Sequence, residues 1–159
     1  KVQDSTGSSD TWANFLKVNS SNFTGTNLYT EKDVPVTVAS NKNAIAYCSM
    51  TNVFDIKTGM KKRNLYVVPV DLNSNGQADD NELVFDKLDD LKSAISSGKY
   101  SSPLVRKLYL VSKTMPADEA TRSFIKWVLT IGQSYCAQYG FVNIEKKEAA
   151  EYLKQLTKK

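Results

Sequence analysis

The sequence predicts an α/β fold in which a central mixed sheet is flanked by helices. Runs of β-branched, aromatic and small apolar residues indicate strands at 34–38, 43–50, 64–70 and 107–113. Apolar residues recur at helical spacing in the segments 4–16, 88–95, 115–140 and 145–156, the third of which is expected to break at Gly132. Strands that alternate with helices are typical of a sheet whose faces are covered by helices.

The composition narrows the possible functions. With 159 residues, 41% of them hydrophobic and 24% charged, the chain is long enough for one sizeable core. The formal charge of +4 is scattered, which argues against the dense basic surface of a nucleic-acid-binding protein. The chain has no histidine, which excludes His-based zinc sites and Ser-His-Asp chemistry. We therefore expect that the protein is not an enzyme. No stretch is apolar enough to span a membrane, so we expect no membrane insertion of this chain.

The two cysteines and the start of the chain give weaker indications. Cys48 and Cys136 are expected to be small buried side chains, and whether they form a disulfide stays open. The chain begins at Lys1 with neither Met nor a signal peptide, which indicates a mature form or a fragment.

Residues 71–82, DLNSNGQADDNE, match the calcium-loop pattern D-x-[DN]-x-[DN]-G-x₅-E in full. A calcium ion takes about six to eight oxygen ligands, and the alternation in this loop would point oxygens at one centre. Gly76 stands at the sixth place, where the loop turns sharply and a Cβ would obstruct it. An ordinary turn without metal is the alternative, although it requires neither this register nor a Glu at the twelfth place. The predicted calcium ligands are Asp71, Asn73, Asn75, the Gln77 carbonyl, Asp79 and Glu82.

The loop is expected to join a strand, 64–70, to a helix, 88–95. Calcium would therefore fix a connection, and would not open a helix pair as it does in a calcium sensor. Because Asn73 and Asn75 are neutral, we expect a dissociation constant of roughly 10⁻⁴–10⁻³ M, a range that suits a protein outside the cytoplasm.

Residues 4–16, DSTGSSDTWANFL, place hydroxyl side chains around Gly7 at the start of an amphipathic helix. A helix N-terminus presents free N–H groups and a positive dipole end, and this makes it a ready anion site. A plain Ser/Thr cap explains the same composition, and both interpretations stay open. The predicted anion-binding residues are Asp4, Ser5, Thr6, Gly7 and Ser8, with Asp4 holding the turn.

Four motifs occur in a fixed order along the chain: DSTGSSDTWANFL (4–16), NAIAYC (43–48), GKYSSPLVRKLYLVSK (98–113) and FIKWVLTIGQSYCAQYGFV (124–142). They resemble, respectively, the D-G-S-G-T turn, the G-x-I-G-Y-V strand, the Y-P-x-x-R-x-L-Y-L-V segment and the F-I-x-W-V-L-x-x-G-Q…G-Y-V helix pair of one family. That family is the phosphate-binding proteins that serve ABC transporters. Some of its members also carry a D-x-N-x-N-G loop. The resemblance extends to about Asn143.

The resemblance implies a periplasmic-binding-protein-like lobe of a two-lobed clamp. On this interpretation 1–105 is the second lobe, 106–144 returns toward an absent first lobe, and 145–159 is a C-terminal helical tail. The implied partners are phosphate or a similar oxyanion, an ABC transporter permease and the N-terminal half of the same protein. The implied location is extracytoplasmic, either in the periplasm or at the cell surface as a lipoprotein.

One position departs from the family pattern. The family places an Arg two residues before the Asp of the turn, and this chain has Val2 there, which cannot form bidentate hydrogen bonds to an oxyanion.

Taken with the resemblance, the sequence predicts a non-enzymatic solute-binding component for phosphate or a related oxyanion, with calcium as a structural cofactor. The alternative is a calcium-stabilised surface or interaction domain that has lost phosphate binding.

Overall fold

The structure is a computed structural model and describes residues 7–157. In this range the regular elements are helical. The α-helices are α1 (Gly7–Leu16), α2 (Asp33–Ser40), α3 (Met50–Val53), α4 (Leu88–Ser96), α5 (Glu119–Leu129) and α6 (Lys146–Thr157). Short 3₁₀-helices span Ser20–Asn22, Ile131–Tyr135 and Ala137–Tyr139.

No β-strand forms within residues 7–157, so the predicted α/β fold with a central mixed sheet is wrong. Two isolated antiparallel bridges pair residues within this range, Phe54 with Lys61 and Met60 with Lys87. The predicted strands at 64–70 and 107–113 carry no regular secondary structure. β-Branched and aromatic residues favour strands, but a strand needs a neighbour that pairs with its N–H and C=O groups. The periplasmic-binding-protein-like lobe that the resemblance implies is built on such a sheet, so this part of the prediction is also wrong.

The segment 34–38, predicted as a strand, lies inside α2. A local turn leads into this helix, in which the Asp33 carboxylate accepts hydrogen bonds from the Thr30 N–H at 3.2 Å and the Thr30 hydroxyl at 3.0 Å. Pro35 falls in the first turn, where a missing N–H removes no helical hydrogen bond. These two features favour a helix over the β-branched character of the segment.

The described chain divides into two compact units, and the first ends at Arg106. Its core is formed by Phe54, Val84, Leu88, Leu91, Ala94 and Tyr100. The three residues from α4 recur three positions apart and so share one face of the helix. Fully burying a side chain such as Leu88 stabilises the fold by about 1.5–3 kcal/mol, so α4 is the main anchor of this unit.

Helix α4 ends at Ser96, and the chain leaves it through Gly98. Gly98 adopts a left-handed backbone with φ of +72°, which costs a glycine no Cβ clash. The Gly98 N–H donates to the Ile95 carbonyl at 3.1 Å, and the Tyr100 N–H donates to the Ala94 carbonyl at 2.9 Å. These bonds satisfy carbonyls that the last helical turn leaves unpaired.

The second unit begins at Lys107 and contains α5 and α6. The Asp118 carboxylate caps α5 by accepting a hydrogen bond from the Thr121 N–H at 2.7 Å. The Arg122 guanidinium on α5 donates to the carbonyl of Leu156 near the end of α6. The Lys107 ammonium contacts both Glu148 carboxylate oxygens, at 2.7 and 2.9 Å, and so joins the start of the unit to α6.

The predicted break of the long helical segment at Gly132 is confirmed, because α5 ends at Leu129 and a 3₁₀-helix follows. A Cβ on Gly132 would lie 3.0 Å from the Trp127 carbonyl oxygen, so this close approach favours glycine. Gln133 then links both sides of the break. Its amide nitrogen donates to the Val128 carbonyl at 2.8 Å, and its amide oxygen accepts from the Ile144 N–H at 3.0 Å.

Cys48 and Cys136 are free thiols, each of them half-buried and not fully buried as the sequence predicted. Burial, aided by the nearby Glu31 carboxylate, raises the pKa of the Cys48 thiol to about 11. Over residues 7–157, no helix combines the length and the apolar character that crossing a membrane requires.

Candidate functional site

The carboxylate of Glu82 closes the loop 71–82. Glu82 is 0% exposed, and its Oε1 accepts a hydrogen bond from the Leu72 N–H at 2.6 Å. Its Oε2 accepts a second hydrogen bond from the Asp79 N–H at 3.0 Å. A buried carboxylate is costly unless hydrogen bonds satisfy it, and here two backbone donors do so. The twelfth residue of the pattern therefore holds both ends of the loop together.

The first half of the loop curls around its own side-chain oxygens. Asp71 accepts from the Asn75 N–H at 3.2 Å and from the Gly76 N–H at 2.8 Å. The Asn73 side-chain oxygen also accepts from the Asn75 N–H, at 3.0 Å, and the Asn75 side-chain oxygen accepts from the Gln77 N–H at 2.8 Å. Asn and Asp favour such turns because their short side chains reach the backbone two residues on. The side-chain oxygens of Asp71, Asn73 and Asn75 therefore turn toward the backbone of the loop.

Asp79 is the point on which the two amide side chains converge. Its Oδ2 accepts from the Asn73 amide at 2.7 Å and from the Asn75 amide at 2.9 Å. Because calcium takes only oxygen ligands from these side chains, binding requires both amides to turn their oxygens toward the metal.

The backbone of the loop is left-handed at two places. Gly76 has φ of +80° and Ser74 has φ of 60°. A Cβ built on Gly76 would meet no atom within 4 Å beyond its chain neighbours, but at this φ any side chain is strained, which agrees with the sharp turn predicted at the sixth place. The glycine is favoured by its backbone conformation and not by lack of space. Ser74 is a loop position that the sequence pattern did not single out.

The loop offers the kind of oxygen donors that calcium takes. Its carboxylates alone do not form a cluster around one point. No group of three or more His, Cys, Asp or Glu side chains in residues 7–157 stands close enough to hold a metal. The three acidic ligands, Asp71, Asp79 and Glu82, are linked through backbone N–H groups. The set becomes large enough for calcium only when the two amides and the Gln77 carbonyl are added.

The packing around the loop ties it to the core of the first unit. Leu72 at its start packs against the core cluster, and Val84, two residues after the loop, belongs to that cluster. The segment before the loop is not the predicted strand, but the predicted helix after it is α4. Fixing the loop would therefore fix the approach to α4.

The predicted anion turn is described only in part, because Asp4, Ser5 and Thr6 lie outside the described residues. Gly7 and Ser8 form the start of α1, where Gly7 is exposed and Ser8 is half-buried. Ser9 points away from this end of the helix, since it is buried and its hydroxyl lies 3.0 Å from the Tyr47 hydroxyl. The rings of Trp12 and Tyr47 meet edge to face, which anchors α1 in the first unit.

Arg106 lies at the start of α1, and sequence reasoning did not assign it to the site. A Cβ added at Gly7 would collide with the Arg106 guanidinium, so the two residues are in close contact. Among residues 7–157 no carboxylate forms an ion pair with Arg106. A guanidinium beside the positive end of a helix is unfavourable unless an anion lies near both. The only signal in the sequence is the Arg of the segment that resembles Y-P-x-x-R-x-L-Y-L-V.

Comparison with known proteins found no match to a protein-family model, a curated protein or a solved structure. The resemblance to phosphate-binding proteins therefore rests on the four motifs alone. The chemistry that the described residues offer is of two kinds: a loop rich in side-chain oxygens and a guanidinium at a helix start.

Proposed function

We propose that this chain binds phosphate or a related oxyanion at the start of α1, as the non-enzymatic solute-binding component of an ABC-type uptake system. The observation that carries the proposal is the contact between Arg106 and Gly7. It brings a guanidinium to Gly7, one of the predicted anion-binding residues. Arg106 thus offers the bidentate donor that Val2 cannot supply.

Charge favours an anion at this place. The N–H groups of the first turn of α1 have no partner within the helix, and they carry the positive end of its dipole. The guanidinium adds a full positive charge whose planar N–H groups match the oxygens of a tetrahedral oxyanion. An anion held between the two would relieve their mutual repulsion and satisfy both sets of donors.

The candidate nucleophiles of this chain favour a binding protein over an enzyme. No histidine is present to serve as a general base. The thiol of Cys48, with its pKa raised to about 11, stays protonated and unreactive near neutral pH. The Ser9 hydroxyl is buried against Tyr47, away from solvent.

Calorimetric titration of inorganic phosphate, with sulfate and chloride as comparison anions, tests this function. We expect saturable heat with phosphate or sulfate at constant ionic strength, and none with chloride, because a guanidinium and helix N–H groups select an oxyanion by its oxygens. Equal responses to all three anions would indicate only non-specific screening of the positive charge and would refute the proposal.

A second function is supported by a separate observation, the closure of the loop 71–82 by buried Glu82. We propose that this loop binds one structural calcium ion through Asp71, Asn73, Asn75, the Gln77 carbonyl, Asp79 and Glu82. Calcium would stabilise the first unit by binding to the folded chain and not to the unfolded one. If calcium binds and no oxyanion does, the chain is the calcium-stabilised surface or interaction domain that the sequence leaves as the alternative.

A further inference from the structure

We draw no further inference here: the strongest candidate, the exposed apolar surface patch of residues 108–111 at the start of the second unit, carries nothing because nothing in the structure shows what covers it.

Discussion

The Glu82 carboxylate accepts a hydrogen bond from the Leu72 N–H at 2.6 Å, and this bond joins the last residue of the loop 71–82 to its second. Since Glu82 is 0% exposed, the loop is closed by a carboxylate that solvent does not reach. Leu72 also packs against the core around α4. The loop is therefore shaped by protein hydrogen bonds, and a calcium ion would add to this closure once the Asn73 and Asn75 amides turn their oxygens toward it.

Calcium is expected to raise the melting temperature of the protein relative to excess chelator. A stabilisation of about 1–3 kcal/mol at saturating calcium corresponds to roughly 2–12 °C for a chain of this size. In Asp71→Asn, which removes a charged ligand at nearly constant shape, this calcium-dependent shift should be largely lost. Asp80→Asn is the matched control, because it removes one charge beside the predicted ligands, and it should keep most of the shift. Equal melting temperatures with calcium and with chelator in the unmutated protein would contradict the calcium site.

Glu82 is also expected to stabilise the protein without metal. Glu82→Ala removes the acceptor of two buried backbone N–H groups and leaves a cavity beside the core, so it should cost about 2–4 kcal/mol. Urea denaturation in the presence of chelator measures this cost. The exposed Asp80→Ala should change the free energy of unfolding by less than about 0.5 kcal/mol. A neutral Glu82→Ala in chelator would show that the hydrogen bonds of this carboxylate do not hold the loop.

The left-handed residues of the loop give a pair of substitutions with opposite expected signs. Gly76→Ala places a Cβ on a residue with φ of +80° and should destabilise the protein by about 1–2 kcal/mol. Ser74→Gly relieves the same kind of strain at φ of 60° and should stabilise it by up to about 1 kcal/mol, after the entropy of the added glycine is counted. Thermal or urea unfolding of both variants checks the prediction, and destabilisation by Ser74→Gly would contradict this loop conformation.

Cys48 gives a prediction for alkaline pH. Its pKa is raised from 9.0 to about 11 in the folded protein, first by burial and then by the Glu31 carboxylate. The unfolded chain therefore loses the thiol proton at lower pH than the folded chain does. The contribution of the Cys48 thiol to the free energy of unfolding is therefore fully present below pH 9 and is lost as the pH rises toward 11. Unfolding curves of the wild type and Cys48→Ala should diverge in this window, and parallel pH profiles of the two proteins would contradict the burial of the thiol.

Sequence patterns predicted the helices better than the rest of the fold. The segment 88–95 carries its periodicity and its glycine stop locally, and it became α4. The prediction of a strand at 34–38 failed because the turn that joins Thr30 to Asp33 leads into a helix, which outweighs β-branched propensity. The segments 64–70 and 107–113 failed because strand pairing depends on distant partners, which propensity does not supply.

The two candidate sites differ in the same way. The predicted calcium loop is contiguous, so its register could be read from twelve successive residues, and in the structure the Asn73 and Asn75 amides both donate to Asp79. The contact of Arg106 with Gly7 joins distant parts of the chain, and no local pattern encodes it. Only a folded first unit brings that guanidinium to the start of α1.

The oxyanion site is tested most directly by the phosphate affinity of Arg106→Gln, measured beside Arg63→Gln by the same calorimetric titration. Both substitutions remove one exposed positive charge from the first unit, so Arg63→Gln controls for net charge. Loss of charge-assisted hydrogen bonds worth about 1.5–3 kcal/mol should weaken binding in Arg106→Gln by roughly 10- to 150-fold. Arg106→Lys keeps the charge without the planar fork, so its phosphate affinity should lie between those of the unmutated protein and Arg106→Gln. If Arg106→Gln binds phosphate as tightly as Arg63→Gln does, the guanidinium at Gly7 takes no part in anion binding and the proposed site is wrong.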